Sequence, residues 1–293
     1  MDIKLLPREE IDKTKWNSCV HYATNGSIFG YLWYLDATAR HWDGLVQGDY
    51  EAVMPLPYVR SGWRGEALRQ PALIRNLGVY SIHSPAQERI NAFWAAIPAQ
   101  YRRIQLSMDA FSAPVEGDWK VEEVHNYYLP LLGKYEALRQ RYSPSRLAEL
   151  DKAADTDFFS TTSIKPEQLA EQYRAAYASV SHDEFHGLQR IMYNVLHRGW
   201  GFATSVIDRD QNLLAADFFI YSHGRVMSLA PVQTPAGAAV GALAHLYDAV
   251  IRNHAGKPQA LDFNTHRLSP TFAKGFGAVA YTYHQVGIDT RRI

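Results

Sequence analysis

The stretch LDFNTHRLSPTFAKGFGA, residues 261–278, gives the clearest indication of fold in this chain. Apolar residues lead into a polar loop, and Ser269 followed by Pro270 is typical of the cap and first residue of a helix. Gly277 is typical of the left-handed residue that ends a helix. The stretch therefore predicts a strand, a polar loop and a short helix.

Three polar side chains follow the predicted strand closely, namely Asp262, Asn264 and His266. In α/β sheets, polar residues at the carboxyl end of a strand often face a ligand crevice, which makes these three candidate site residues. The alternative is that Asp262 and Asn264 only satisfy backbone groups of the loop, as Asp and Asn commonly do.

The order of predicted elements repeats roughly along the chain. The first half predicts helices over 9–23, 31–40 and 85–97, and strands over 42–46, 50–59, 72–79 and 103–108. The second half predicts helices over 166–178, 184–198, 237–253 and 270–276, and strands over 201–207, 213–221, 225–232, 259–263 and 279–286. Two units of similar pattern joined head to tail explain this order, and coincidence is the alternative, since such orders are common in α/β proteins.

The boundary between the two units is expected near residues 141–157, after a segment that is helical in pattern beyond Pro130. The chain length agrees with two domains, because 293 residues make about two units of ~150 residues each. We therefore expect one domain over 1–145 and a second over 146–293.

Charge and cysteine content narrow the functional class. Thirty basic and thirty acidic residues cancel, which argues against nucleic-acid binding through bulk charge. The single cysteine, Cys19, cannot form an internal disulfide and fits a reducing compartment. The sequence begins without the pattern of a signal peptide and has no apolar run long enough to span a membrane. We expect a cytoplasmic protein with no membrane span.

Several segments together resemble the FemAB-like acyltransferases and the GNAT domain. They are the stretch 261–278 followed by Tyr281 and Tyr283, the helical segment 135–153, the strand 214–220, and Trp42 with the residues 54–57. The resemblance covers most of the chain. It implies an α/β (α+β) fold with two GNAT-like domains in tandem, each a mixed, mostly antiparallel sheet flanked by helices, and an active-site cleft in the C-terminal domain.

The same resemblance implies an N-acyltransferase. The donor would be acyl-CoA or acetyl-CoA, and a primary amine of a small molecule or peptide would attack it directly. A second possibility is the FemAB-type reaction, in which charged tRNA donates an aminoacyl group to a cell-wall precursor. The third is a degenerate GNAT pair that binds a ligand without catalysis. No metal is expected, and the oligomeric state is left open.

The resemblance also implies roles for particular residues. The tyrosine that protonates the leaving group in GNAT enzymes would fall near Thr271 or Phe272, and neither is a tyrosine. Tyr281, Tyr283 or His266 would have to take that role beside Asp262 and Asn264, or positioning alone would drive the reaction. A backbone N–H on a splayed strand would polarise the donor carbonyl.

The donor pyrophosphate would lie on the segment 232–241, at the start of a helix whose unpaired N–H groups attract anions. The candidate cofactor-binding residues are Gln233, Thr234, Gly237 and Gly241, with Lys274 from the last helix. Pro235 removes one N–H donor from this loop. The alternative is a Pro-Gly turn that starts a small-residue helix packed closely on the sheet.

The pair His182 and His186 has a spacing that can bind zinc on a helix. The alternative is structural, since Ser181 and Glu184 form the pattern of a capping box at a helix start. We favour the cap.

Overall fold

The computed structural model describes residues 2–60, 65–83, 86–264 and 267–289, and these form two compact units. The first unit comprises Met1–His125 together with Thr282–Ile293, and the second comprises Asn126–Tyr281. The chain thus leaves the first unit, builds the second, and returns. The domain limits expected from the sequence, 1–145 and 146–293, differ from the limits of these two units and stay a prediction.

The first unit is a mostly antiparallel sheet with helices. Its helices are α1 (Lys13–Tyr22), α2 (Leu32–Thr38) and α3 (Gln87–Ala95). Its strands are β1 (Ile3–Pro7), β2 (His41–Gln47), β3 (Ala52–Arg60), β4 (Glu66–Arg69), β5 (Tyr80–Ser81), β6 (Tyr101–Asp109), the beginning of β7 (Lys120–Pro130) and the end of β14 (Val279–Asp289).

Strand pairing in the first unit follows the order β1-β2-β3-β4-β6-β14, with β5 paired to β3. β4 and β6 pair in parallel, whereas the pairs β1–β2, β2–β3, β3–β4, β3–β5 and β6–β14 are antiparallel. The core contains Trp16, Phe29, Tyr34 and Phe93, all fully buried. Burial of such large aromatic side chains supplies much of the apolar stabilisation of the unit.

Strand pairing in the second unit follows the order β7-β13-β11-β10-β9-β8, with β12 paired to β10. Its strands are the end of β7, β8 (Phe158–Thr161), β9 (Gly201–Asp208), β10 (Leu213–Ser222), β11 (Arg225–Ser228), β12 (Val232–Gln233), β13 (Ala260–Asp262) and the beginning of β14. Its helices are α4 (Tyr135–Arg139), α5 (Pro144–Ala154), α6 (Pro166–Ala176), α7 (His182–His197), α8 (Pro235–Ala239), α9 (Ala242–His254) and α10 (Pro270–Gly275).

One face of this sheet packs against α9 and α10. Tyr247 from α9 stacks on Phe263, and Phe219 and Phe276 complete a fully buried aromatic cluster with them. The parallel pairing of β11 with β13 is the exception in a unit whose other named strand pairs are antiparallel. The predicted fold class, a mixed and mostly antiparallel sheet flanked by helices, is confirmed.

Three predicted elements differ from the structure. The strand expected over 72–79 is a loop that pairs only through a bridge between Leu77 and Met108. Its apolar residues are buried, but the Tyr34 hydroxyl hydrogen-bonds the Leu73 carbonyl where a strand partner would otherwise do so. The strand expected over 225–232 is broken into β11 and β12. The helix expected over 237–253 is interrupted at Gly241, whose φ is 70°.

Candidate functional site

The two parallel strands of the second unit separate at their carboxyl ends. Residues Arg225–Met227 of β11 pair with Ala260–Asp262 of β13, whereas β12 pairs with β10 instead. A gap therefore opens beyond Asp262, between the end of β11 and the segment that follows β13. Openings of this kind at the carboxyl ends of strands are common ligand sites in α/β sheets.

Asp262 lies at this opening and is fully buried. One carboxylate oxygen accepts hydrogen bonds from the Asn126 amide (2.7 Å) and the Asn264 backbone N–H (3.0 Å). The other accepts from the Arg225 guanidinium and the Tyr281 hydroxyl, both at 3.0 Å. Because four donors already surround its carboxylate, Asp262 is suited to holding its neighbours in place rather than to taking a proton from a substrate.

In this cluster, the Arg225 side chain is partly exposed to solvent, whereas its ion-pair partner Asp262 is buried. The Arg225 side chain is 38% exposed, whereas that of Asp262 is 0% exposed. The guanidinium lies over two rings, 4.8 Å from the centroid of Tyr281 and 5.5 Å from that of Tyr128. Stacking and the ion pair together fix the guanidinium plane, which leaves its open edge available to an anionic or carbonyl group.

Asn264 bridges the two separating strands. Its backbone has a φ of 46°, a left-handed conformation that Asn adopts more readily than most residues. Its side-chain amide donates to the Ser228 carbonyl at the end of β11, at 3.0 Å. Asn264, two residues after the buried Asp262, thus connects the two sides of the gap.

The structure therefore brings together three of the five predicted catalytic residues, Asp262, Asn264 and Tyr281. Tyr283 lies in the first unit, opposite Asp109 on β6. Burial raises the pKa of Tyr283, and Arg75 partly opposes this. His266 lies outside the described residues.

The backbone between β11 and β12 has its N–H groups occupied. Leu229 donates to the Phe218 carbonyl, and Ala230 donates to the Asp217 carboxylate at 2.9 Å. The next residue, Pro231, has no N–H. The splayed-strand donor that the resemblance implied is therefore already used within this segment.

Asp217 is fully buried on β10 beside this segment. It also accepts from the hydroxyls of Tyr247 and Ser228, both at 2.6 Å. Burial raises the pKa of Asp217 to about 6, although its hydrogen bonds act in the opposite direction. This carboxylate orders the break between β11 and β12 from inside the core.

The predicted phosphate loop packs closely on the sheet. The Thr234 hydroxyl accepts from the Gly237 N–H and caps α8. A Cβ on Gly237 would stand 2.0 Å from the Leu214 carbonyl oxygen, and one on Gly241 would stand 2.7 Å from that of Glu149. Both glycines are thus required by close backbone approach. The first turn of α9 has no side-chain cap, and a role of its N–H groups in binding the donor pyrophosphate stays a prediction.

The other two candidate cofactor-binding residues differ in setting. Gln233 is half-buried on β12 and pairs with Ala215. Lys274 is exposed on α10, with its ammonium 5.3 Å from the centroid of the Tyr127 ring. Neither side chain is held in a geometry that points to one ligand.

The comparisons with known proteins bear on this arrangement. No family model matches the sequence, and no curated protein matches it. Among solved structures, the chain is similar to FemX, with a TM-score of 0.63 and 9% identity over 97% of each chain. The structure of L-PGS from Bacillus licheniformis has a TM-score of 0.55 at 11% identity, covering 96% of this chain and 93% of that one. A tandem GNAT protein from the clavulanic acid biosynthesis pathway has a TM-score of 0.50 at 10% identity over 98% of each.

This chain has a FemX-like, tandem GNAT fold. At these identities the likeness concerns the fold, and it spans nearly the whole chain. The predicted resemblance is confirmed at that level. The gap beyond Asp262 is thus a feature of a FemX-like fold whose chemistry has to be argued from its own residues.

One buried ion pair at the site was missed by the sequence analysis. The Arg267 guanidinium donates to the Glu184 carboxylate and to the Tyr173 hydroxyl, both at 2.7 Å, and lies over the Tyr177 ring. It anchors the segment after β13 to α6 and α7. Ser181 caps α7 as expected, but the Glu184 carboxylate turns to Arg267, which lies 83 residues away and carries no local signal.

A groove of about 660 Å³ lies in the second unit, between α6 and the β8–β9–β10 part of the sheet. It opens where β9 ends and β10 begins, in the direction in which β13 runs, whereas Asp262 lies level with Ile220, farther along β10. Its lining combines hydroxyl and amide side chains, Gln168 and Gln172 among them, with the Glu171 carboxylate and the apolar residues Ile164, Ile207 and Leu213. Hydroxyl and amide groups of this kind suit a neutral, hydrogen-bonding ligand.

Two features are absent from the part of the chain that the structure describes. No group of three or more His, Cys, Asp or Glu side chains there is arranged to hold a metal ion. The rings of His182 and His186 lie 4.3 Å apart, at a helix start. Over the same residues, no helix has the length and apolar character needed to cross a bilayer.

Proposed function

We propose that this chain transfers an acyl group from acyl-CoA or acetyl-CoA to a primary amine, at the gap beyond Asp262 in the second unit. The observation that carries the proposal is the parting of β11 and β13 beside an ordered polar cluster, in a fold shared with a tandem GNAT protein and with FemX. The acceptor is an amine of a small molecule or peptide. The groove beside α6, which is lined by polar side chains and by the Glu171 carboxylate, is its proposed binding place.

In the proposed reaction, the amine nitrogen attacks the thioester carbonyl carbon, the C–S bond breaks, and the thiolate takes up a proton. The attacking amine loses one proton to a base or to water. Asp262 holds Tyr281 and Arg225 in position, and Asn264 holds the mouth of the gap. His266 is proposed as the group that protonates the thiolate, on the ground of its residue type. The remaining rate acceleration comes from holding the amine and the thioester in a reactive position.

Donor binding is tested first, by thermal unfolding with CoA and with acetyl-CoA. A ligand at 100 times its Kd stabilises a protein by about 2.7 kcal/mol, so binding raises the unfolding temperature. Absence of any rise at millimolar ligand contradicts the acyl-CoA donor.

The role of the cluster is tested with D262N in an acetyl-transfer assay. This variant weakens the hold on Arg225 and Tyr281, so we expect kcat to fall by about tenfold or more while the KM for acetyl-CoA is kept. Asn253→Ala, an exposed change on α9, is the matched control. Equal kcat in both variants contradicts the proposed site.

A second candidate is aminoacyl transfer from charged tRNA, and one observation favours it. Close contacts with Leu214 and Glu149 and the Thr234 cap fill part of the loop that would bind a CoA pyrophosphate. Transfer of a radiolabelled aminoacyl group from charged tRNA tests it. If neither donor binds, the chain acts as a ligand-binding module without catalysis.

A further inference from the structure

One end of the sheet in the second unit is formed by four loops, at the amino end of β13. They are residues 131–134, 196–200, 221–224 and 255–258, and we call them together the basic end. Backbone hydrogen bonds connect them directly. The backbone N–H of Tyr221 donates to the Trp200 carbonyl. The backbone N–H of Ala260 donates to the Gly224 carbonyl, and that of Gly256 donates to the Leu131 carbonyl.

The basic end contains Lys134, Arg198 and Lys257, and none of its residues is Asp or Glu. Acidic residues are scarce over the whole of residues 185–261, which contain only four. Asp208 and Asp210 lie at the opposite end of the β9–β10 hairpin, and Asp217 and Asp248 are buried. In sequence, the nearest acidic residue to the 131–134 loop is Glu136, on α4.

The same end exposes large apolar side chains. Leu132 is 70% exposed and Trp200 is 43% exposed, and Leu196 and Tyr221 are also exposed. The Arg198 guanidinium lies 5.1 Å from the centroid of the Trp200 ring, so charge and apolar surface are interleaved. Because neighbouring strands lie roughly 4.8 Å apart, the span from the β9 side to the β7 side is about 20 Å.

We propose that the basic end docks on an anionic phospholipid surface. Trp, Tyr and Leu side chains suit the boundary between headgroups and acyl chains, while Lys and Arg beside them attract lipid phosphates. An RNA partner fits the positive charge, but exposed leucines do not contribute to RNA binding, because they offer neither a ring for base stacking nor a hydrogen-bonding group. The inference is independent of the proposed acyl transfer.

Sedimentation of the full chain with vesicles tests the proposal. We expect the protein to sediment with vesicles of phosphatidylcholine mixed with phosphatidylglycerol, to do so less at high salt, and to stay in solution with phosphatidylcholine alone. Each basic residue near an anionic surface contributes roughly fivefold to binding, so R198E/K257E weakens it by at least about 25-fold. L132S/W200S, which removes the apolar contacts, weakens it by roughly tenfold or more.

The matched control is F159S/R209E, which changes one exposed aromatic and one exposed charge at the opposite end of the sheet, where Arg209 pairs with Asp157. Its vesicle binding stays as in the unchanged protein. A second measurement needs no disruptive variant. Brominated acyl chains quench tryptophan fluorescence in the unchanged protein, and the quenching falls in W200F.

Three results overturn the proposal. One is equal sedimentation with both kinds of vesicle or with neither. Another is that the control weakens vesicle binding as much as the basic-end variants do. The third is binding of bulk tRNA that R198E/K257E abolishes, with no vesicle binding, which assigns this end to RNA.

Discussion

At the scale of single residues, Gly237 shows how little room the loop after β12 has. A Cβ there would stand 2.0 Å from the Leu214 carbonyl oxygen, and that oxygen belongs to backbone that cannot turn away. We expect Gly237→Ala to lower the free energy of unfolding by about 1–3 kcal/mol or more, measured by urea denaturation. Gly133→Ala is the control, since its Cβ meets only a leucine methyl at 3.6 Å. Equal losses in both variants would argue against close packing as the reason for this glycine.

Asp217 makes stability depend on pH in a direction opposite to that of most carboxylates. Burial raises its pKa to about 6 in the folded protein, whereas an unfolded Asp titrates near about 3.9. Its contribution to stability is therefore complete below about pH 4 and is lost as pH rises to about 6, because the folded state must then bury a charge. The rise in the pKa of Asp217 from about 3.9 to about 6 corresponds to roughly 3 kcal/mol in the free energy of unfolding.

The measurement compares unfolding free energies of the protein and of Asp217→Asn across this range. We expect the unchanged protein to lose stability relative to the variant as pH rises, and the difference to be constant above about pH 7. A difference that does not vary with pH, or that has the opposite slope, is incompatible with a raised pKa.

At the scale of elements, the ion pair between Arg267 and Glu184 joins the segment after β13 to α7. Both side chains are largely buried, so removal of either leaves an uncompensated charge and is expected to cost about 3–5 kcal/mol. A double-mutant cycle with R267A and E184A should give a coupling energy above about 1.5 kcal/mol. The exposed pair of Arg174 and Glu171 is the reference, and its coupling energy is expected to be less than about 1 kcal/mol. Similar coupling in both pairs would contradict the anchor.

Elements with strong local signals could be predicted from the sequence, and those set by distant partners could not. The Ser181 and Ser269 caps are local, and the structure contains both. The loop over 72–79 was mistaken for a strand because its apolar residues are buried against neighbours far away in sequence. At the candidate site, Asp262, Asn264 and Tyr281 were predicted from their position and from resemblance, the structure brings them together, and their roles stay predictions. Arg225, Asn126 and Arg267 were missed because only the folded sheet brings them to that place.

At the scale of the whole molecule, the first unit depends on a strand from the far end of the chain. Tyr283–Asp289 of β14 pair with Arg103–Asp109 of β6. A chain shortened after residue 281 leaves that side of β6 unpaired. We expect the β6 amides to exchange hydrogen much faster, while the amides of β9 and β10 keep their protection; hydrogen exchange followed by mass spectrometry measures both. Unchanged protection of β6 would contradict this dependence.

The return of β14 also constrains how the protein is made. At a synthesis rate of about 5–20 residues per second, the 156 residues of Asn126–Tyr281 take on the order of 8–30 s to appear after the first unit's main segment. During that interval β6 has one open side and is available to wrong partners. A ribosome pause within the second unit therefore prolongs the exposure of the first, and rare codons there would lower the yield of folded protein.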